Sequence, residues 1–499
     1  MSTVRELIDR QAAALPDAPY ALATEHAATL SYGTLQAGCR QVAAWLEEAG
    51  VAPGQTVSLV MPNGLGTLQW LLGAMWAGRC VNPVNLLGTG EPMRYVLEHS
   101  DCRLVVVAPD WEARVRELLA NVARPVAVRV VDPDALVAAV DAAAPPAPQP
   151  ADLALLMYTS GTTGVPKGVM LSQANLVANA RAISAEHALT AADRVLAVLP
   201  LYHINAFAVT MLAPLVEGGS LAMPPRFSAA RFWAQVQERK CSWINVVPTI
   251  ISYLLEGEAP AAEVTAPVLF CRSASAALPP EHLRGFERKF GIGVIETMGL
   301  TETVAPSFSN PLDAAQRKLG AVGRASGCEA RIVDAGLQPL PDGQTGELVI
   351  RGPNVMVGYY KNPEATAASF TPDGWLRTGD LGHRDGDGFF FVTGRLKELI
   401  IKGGENIAPR EVDEALLRHP AVLEAAVVGI PDRHYGQEIM ACVVLRPGEV
   451  TDEAALRDFC AAELGRYKAP KFVRFVDELP RGPSGKVQRL KLAVLAPAT

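Results

Sequence analysis

Tyr158 to Gly168 reads Y-T-S-G-T-T-G-V-P-K-G and follows the apolar run Leu153 to Met157. Four Ser/Thr hydroxyls, three glycines and Lys167 are thus gathered in one short loop, and Val169 to Leu171 has the composition of a returning strand. Glycine lets the backbone approach an anion closely, and hydroxyls, exposed amides and a mobile ammonium together suit phosphate oxygens. A Walker loop needs G-x-x-x-x-G-K-[ST], whereas Lys167 is flanked by Pro166 and Gly168, which disfavours a P-loop kinase or GTPase. A flexible surface linker would not account for this composition between two apolar strands.

Outward from the loop, the pattern alternates between strand and helix. Apolar residues at Leu35, Cys39, Val42 and Leu46 have helical spacing that stops at Gly50, and Val57 to Met61 reads as a strand. A helix from Thr67 to Ala77 ends at Gly78 before the apolar Cys80 and Val81, and Leu104 to Val107 is a further strand. Such alternation predicts an α/β sheet. Asp141 to Ala151 (DAAAPPAPQPA) is a Pro/Ala-rich connector that favours an extended path. Beyond Gly394, a helix at Pro409 to Leu417, a strand at Ala425 to Ile430 and a helix at Asp452 to Glu463 suggest a small separate α+β domain.

At 499 residues, 49% apolar and 19% charged, the chain has the make-up of a soluble protein of two or more domains. A net charge of −7 disfavours generic nucleic-acid binding, so any polyanionic ligand must meet local cations. Val195 to Val216 lacks Asp, Glu, Lys and Arg, but Pro200, His203, Asn205 and Pro214 within it favour a buried helix-and-loop segment over a membrane span. Met1 to Pro16 carries four charges in an amphipathic pattern, unlike a secretory signal. The eight cysteines form no C-x-x-C pair and accompany no paired-His cluster, so neither zinc nor a disulfide framework is expected and a reducing cytoplasm fits.

The loop resembles the signature of the adenylate-forming superfamily, which includes acyl-CoA synthetases, firefly luciferase and the adenylation domains of peptide synthetases. Further blocks follow in family order: P-L-Y-H-I-N from Pro200, M-G-L-T-E from Met298, G-E-L-V-I-R-G-P from Gly346 and W-L-R-T-G-D from Trp375. G-R-L-K-E from Gly394, G-G-E-N-I-A-P from Gly403 and P-R-G-P-S-G-K-V from Pro480 complete the set, so the resemblance covers nearly the whole chain. It implies a large N-terminal domain of α/β sheets over 1–396, holding ATP and the acyl group, and a mobile C-terminal α+β domain over 397–499. It also implies a carboxylate–CoA ligase: acid and ATP give acyl-adenylate and pyrophosphate, and the thiol of coenzyme A then gives acyl-CoA and AMP.

A carboxylate attacking the α-phosphate approaches a polyanion; at about 4 Å each unit-charge pair costs roughly 4 kcal/mol even at an effective dielectric of 20. By the resemblance, Thr159, Ser160, Gly161, Thr162, Thr163, Gly164 and Lys167 cradle the phosphates, and Thr301 with Glu302 places magnesium, Thr159 assisting as a metal ligand. Ser275, Ala276, Met298 and Gly299 line the nucleotide, with Met298 where an aromatic usually stacks on adenine. Asp380 takes the ribose hydroxyls and Arg395 a ribose or phosphate oxygen. Lys486 is the mobile lysine that stabilises charge at the α-phosphate in the adenylation transition state. Lys397 lies at the hinge position, and Gly403 and Gly404 border the pantetheine tunnel.

The stretch Pro225 to Leu255, with R-F-S-A-A-R-F-W from Arg226 and W-I-N-V-V-P-T-I from Trp243, and R-S-A-S-A from Arg272, resemble the oxalate–CoA ligase branch. That branch carries histidines where this chain has Asn205 and Ala305. The resemblance implies a small, dicarboxylic or otherwise anionic acid, with His203, Asn205, Arg226, Asn245, Arg272 and Met298 lining its pocket and His203 also a catalytic candidate; Arg272 alternatively only braces its loop. Medium-chain or aryl acids, transfer to a carrier protein, a kinase and a non-catalytic nucleotide sensor are the competing readings. Expected partners are the acid and coenzyme A, in a monomer or homodimer.

Overall fold

The computed structural model describes residues 2–88, 90–138, 143–159, 165–481 and 487–496. By packing, the chain divides into two units, Met1–Glu329 with Ile350–Leu376, and Ala330–Val349 with Arg377–Thr499. The packing division does not follow the boundary expected after residue 396, because sheet strands before that point pack with the C-terminal residues.

In the first unit, the run leading into the glycine-rich loop is the strand Leu153–Thr159. It pairs parallel with Cys80–Pro83 and antiparallel with Lys167–Ser172. Among the described residues it belongs to a seven-stranded sheet that continues through Thr56–Val60, Leu104–Val107 and Ala127–Val130, with Gly358–Tyr359 at its other edge. Thr56–Val60 is buried throughout, so its near-continuous apolar run is what a strand covered on both faces requires. The predicted helices appear as Tyr32–Glu48, N-capped by the Ser31 hydroxyl, and Leu65–Trp76, buried along its whole length.

The second sheet of this unit has nine strands. Its parallel run is, in spatial order, Val294–Met298, Phe270–Ser273, Trp243–Val246, Arg194–Leu196, Ser220–Met223 and Pro19–Ala23. One apolar core serves both sheets, with Trp70, Trp76, Trp243 and Phe207 fully enclosed. The charge-free segment becomes the end of the strand Arg194–Leu196, a loop, the π-helix Ala206–Leu212 and the helix Ala213–Glu217. Its apolar residues enter the core as the sequence suggested, and no helix among the described residues is long and apolar enough to cross a membrane.

The second unit holds most of a four-stranded sheet, Glu329–Val333, Gly346–Arg351, Leu376–Arg384 and Phe390–Arg395, whose first three strands each have an end across the packing boundary. It also holds a five-stranded sheet in which Val422–Asp432 and Gly436–Leu445 form the long antiparallel pair. Helices Pro409–Leu417 and Glu453–Leu464 share a core of Val412, Leu416, Val427, Ile439 and Leu456 with it. The sequence placed both helices within a residue of their observed ends.

Candidate active site

Lys167 is the first residue of its strand, not a member of the loop, and pairs across the ladder with Thr159. The two ends of the glycine-rich loop are therefore held at sheet register. The sequence-predicted Ser160, Gly161, Thr162, Thr163 and Gly164 lie outside the described residues, as does Lys486. The edge strand Gly358–Tyr359 pairs with Lys167–Ser172 and brings Tyr359 beside Lys167, whose Nζ lies 4.8 Å from the ring centroid. The Tyr359 hydroxyl donates to Glu302 Oε1 at 2.8 Å, and the Met356 amide donates to the Glu302 carbonyl at 2.8 Å. Burial, and after it the Glu302 carboxylate, hold the Tyr359 phenol well above its usual range, so it stays a neutral donor. Thr159, Lys167, Thr301 and Glu302 thus lie on one framework in which Tyr359 connects ammonium to carboxylate.

The turn bearing Glu302 is tightly built. A Cβ on Gly299 would stand 2.8 Å from the Cα atoms of both Ala305 and Pro306, so only glycine admits this approach. Asn354 Nδ2 donates to the Thr303 carbonyl at 3.0 Å and Asn179 Nδ2 to the Pro306 carbonyl at 2.7 Å. Two asparagines remote in sequence thereby fix the carboxylate's backbone. The turn follows the C-terminal end of Val294–Met298, and Ser275 and Ala276 follow that of the adjacent strand Phe270–Ser273. Ends of parallel strands are where α/β sheets place ligand-binding groups. Met298, Gly299 and Thr301 are partly exposed there, and Ser275 and Ala276 are exposed.

Arg272 lies on the same strand and is completely buried. Its Nη1 donates to Asn205 Oδ1 and Asn245 Oδ1, each at 2.8 Å, and Asn205 Nδ2 reaches Ser275 Oγ at 3.4 Å. Asn245 is its register partner on the neighbouring strand, which places the two side chains on one face. Among the described residues no carboxylate pairs with Arg272, and its Nε and Nη2 have no hydrogen-bond partner. Burial pushes the guanidinium down to about 9, which leaves it a cation at neutral pH. A buried charge without a counter-ion is costly to hold, and so are two buried donors without acceptors.

His187 packs on the same face, its ring 5.1 Å from Phe270 and 6.5 Å from Trp243. Its Nδ1 bonds the Ile183 carbonyl at 2.9 Å, which makes Nδ1 the protonated nitrogen. Burial, and after it the Arg272 cation, push it down to about 3, so the imidazole is neutral beside Arg272. His203 is half-buried with its ring 4.7 Å from that of Tyr202. Arg226 is exposed and does not hydrogen-bond into the Arg272 cluster.

In the second unit, Asp380 and Arg395 are register partners on adjacent strands, and Arg395 Nε donates to Asp380 Oδ1 at 2.8 Å. Lys397 is exposed in the short 3-10 turn Leu396–Glu398. Gly403 and Gly404 form the two-residue turn between Ile400–Lys402 and Glu405–Ile407, with φ of 54° and 89°. Positive φ at both central positions is what a tight hairpin turn of this length demands.

Sequence reasoning missed Tyr359 and His187. The first stands in G-Y-Y shortly after R-G-P, the one local signal available, and otherwise reads as a core aromatic; His187 has no motif around it.

Residues 8–360 match the family described as AMP-binding enzyme, and 411–486 match the AMP-binding enzyme C-terminal domain. The chain is 59% identical to a sulfoacetate–CoA ligase of Cupriavidus necator over 98% of its own length and 97% of that protein's. It is 37% identical to an oxalate–CoA ligase of Arabidopsis thaliana over 89% of each. Its fold is similar to the crystal structure of ATP-bound MatB from Rhodopseudomonas palustris, with a TM-score of 0.92, 32% identity and coverage of 99% and 100% of the two chains. With its phosphate-loop strands, Glu302 turn and C-terminal domain in family order, the chain belongs to the AMP-binding enzyme family and is an AMP-forming, ATP-dependent acid–CoA ligase.

Proposed function

We propose that the acid it activates is a small carboxylic acid bearing a second anionic group, of the sulfoacetate or short dicarboxylate type. The observation that carries this reading is Arg272, fully buried with Nε and Nη2 lacking hydrogen-bond partners and with no ion partner among the described residues. A sulfonate or second carboxylate on the substrate supplies the missing counter-charge, while Asn205 and Asn245 orient the guanidinium from behind. The names of the two relatives above support the same class. Asn205 and Ser275 add neutral donors, and Met298 completes the pocket. Arg226, being exposed, serves at most its rim.

In this reading Thr159, Ser160, Thr162, Thr163 and Lys167 hold the triphosphate, with Gly161 and Gly164 allowing close backbone approach. Asp380 and Arg395 take the ribose. Glu302 and Thr159 would hold magnesium, offering hard oxygen donors of the kind it takes. Held there, the ion would supply neutralisation of triphosphate charge. A carboxylate oxygen bonds to the α-phosphorus, the bond to the bridging oxygen breaks, and pyrophosphate leaves while Lys486 stabilises the charge. The thiolate of coenzyme A then attacks the acyl carbon and AMP departs. Lys397 as hinge lets Lys486 withdraw and Gly403–Gly404 engage the pantetheine arm; such a movement is gating. The eight free cysteines, seven of them buried, suit a reducing cytoplasm, and a monomer or homodimer suffices for this chemistry.

The test is a panel of acids with ATP, magnesium and coenzyme A, scored for AMP, pyrophosphate and thioester. Sulfoacetate, oxalate and malonate are expected to exceed propionate, octanoate and benzoate in kcat/KM. A preference for octanoate or benzoate would overturn the substrate reading, and adenylate formation without thioester would point to a carrier-protein acceptor.

A further inference from the structure

The last residue before the Gly403–Gly404 turn is a buried lysine. Lys402 has a side-chain exposure of 8% and lies 3.0 Å from Glu438 Oε2, whose side chain is 6% exposed. Its Nζ also donates to the Tyr467 carbonyl at 2.9 Å and stands 5.0 Å and 5.5 Å from the ring centroids of Tyr467 and Tyr435. The Tyr467 hydroxyl donates back to the Lys402 carbonyl, and the Gly403 amide donates to the Tyr435 carbonyl at 2.8 Å. One lysine thereby fixes the root of the turn from the strand Gly436–Leu445 and from the segment around Tyr467.

A lysine at a hairpin end would ordinarily keep its ammonium in water. Burying it with a carboxylate contributes little net stability compared with apolar packing, so what the pair supplies is a single geometry. We propose that Lys402, Glu438 and Tyr467 are positioning residues for the second half-reaction: they hold the Gly403–Gly404 turn at the placement that thiol transfer requires. None of them contacts a reacting atom. This rests on the reading that the turn engages the pantetheine arm. Misplacement by about 1 Å at a reacting centre costs on the order of 100-fold in rate.

The experiment separates the two halves in the full-length enzyme: acid-dependent ATP–pyrophosphate exchange for adenylation, and single-turnover transfer from supplied acyl-adenylate to coenzyme A. Glu438→Leu is expected to slow transfer roughly 10- to 100-fold with exchange unchanged, and Glu438→Gln, which keeps an acceptor, to recover most of it. If Glu438→Leu does not fold, the pair Lys402→Met with Glu438→Leu leaves no buried charge unpaired and is expected to show the same selective loss, because the Nζ bond to Tyr467 is gone. Gly404→Asn tests the turn itself, since asparagine tolerates positive φ. Slowed transfer in Gly404→Asn but not in the Glu438 variants would overturn the positioning inference alone. Unchanged transfer in all of them would overturn the turn's assigned role as well. Equal loss in both half-reactions with a lowered melting temperature would make the ion pair merely structural and also overturn it.

Discussion

Replacing Arg272 by methionine removes the buried cation while keeping an unbranched apolar stem. Nε and Nη2 lack hydrogen-bond partners, and in the proposed reading each makes a charge-assisted hydrogen bond to the substrate's second anion. Such bonds are worth about 1.5–3 kcal/mol apiece, so the pair contributes roughly 3–6 kcal/mol. At 1.36 kcal/mol per tenfold, that is a fall of roughly 10²- to 10⁴-fold in kcat/KM for sulfoacetate. Propionate has no second anion, and its kcat/KM should change little. The fold should survive: Asn205 and Asn245 lose the Nη1 donor, which costs stability, but removing a desolvated cation without an ion partner offsets that cost. The assay is the ratio of kcat/KM for sulfoacetate over propionate in wild type and variant, with melting temperature measured alongside. Because burial leaves Arg272 at about 9 and His187 at about 3, one stays a cation and the other neutral between about pH 5 and 8, and the wild-type ratio should be flat there. The charge on Arg272 is lost only as pH climbs through its lowered value. Equal loss for both acids, accompanied by a lower melting temperature, would refute the reasoning and return Arg272 to a bracing role.

Two further outcomes are expected. Lys486→Ala should lower acid-dependent ATP–pyrophosphate exchange by on the order of 10²- to 10³-fold while leaving thioester formation from supplied acyl-adenylate largely intact; equal loss in both would reject the division of labour. Tyr359→Phe removes the donor to Glu302 and should raise the magnesium concentration needed for half-maximal adenylation, with a loss of about tenfold at limiting magnesium. A loss that excess magnesium fails to restore would show that Tyr359 acts by some route other than the carboxylate.

Much of the architecture is legible along the chain because the signals are local. The periods of Leu35 to Leu46 and Val57 to Met61, and the two strands that flank the glycine-rich segment, each depend on a few consecutive residues, and each is found where the pattern places it. The edge strand Gly358–Tyr359 was not legible, since two residues carry no period and their pairing with Lys167–Ser172 is set by a partner nearly two hundred positions away. Arg226 and Arg272 looked alike as candidate substrate cations; burial separates them, one exposed and the other enclosed. The packing boundary differed from the expected hinge for the same reason, because strands on both sides of residue 396 join one unit.

The sequence by itself determined the resemblance from which the reaction class was expected, since phosphate loops, tight turns and strand pairs are built from neighbouring residues that leave their mark as short ordered blocks. Tertiary structure alone decided that Arg272 is enclosed with no carboxylate beside it among the described residues, and that Tyr359 ties Lys167 to Glu302. The physical reason is that lacking a counter-charge is a property of everything surrounding a residue, and those surroundings are assembled from distant parts of the chain only when it folds.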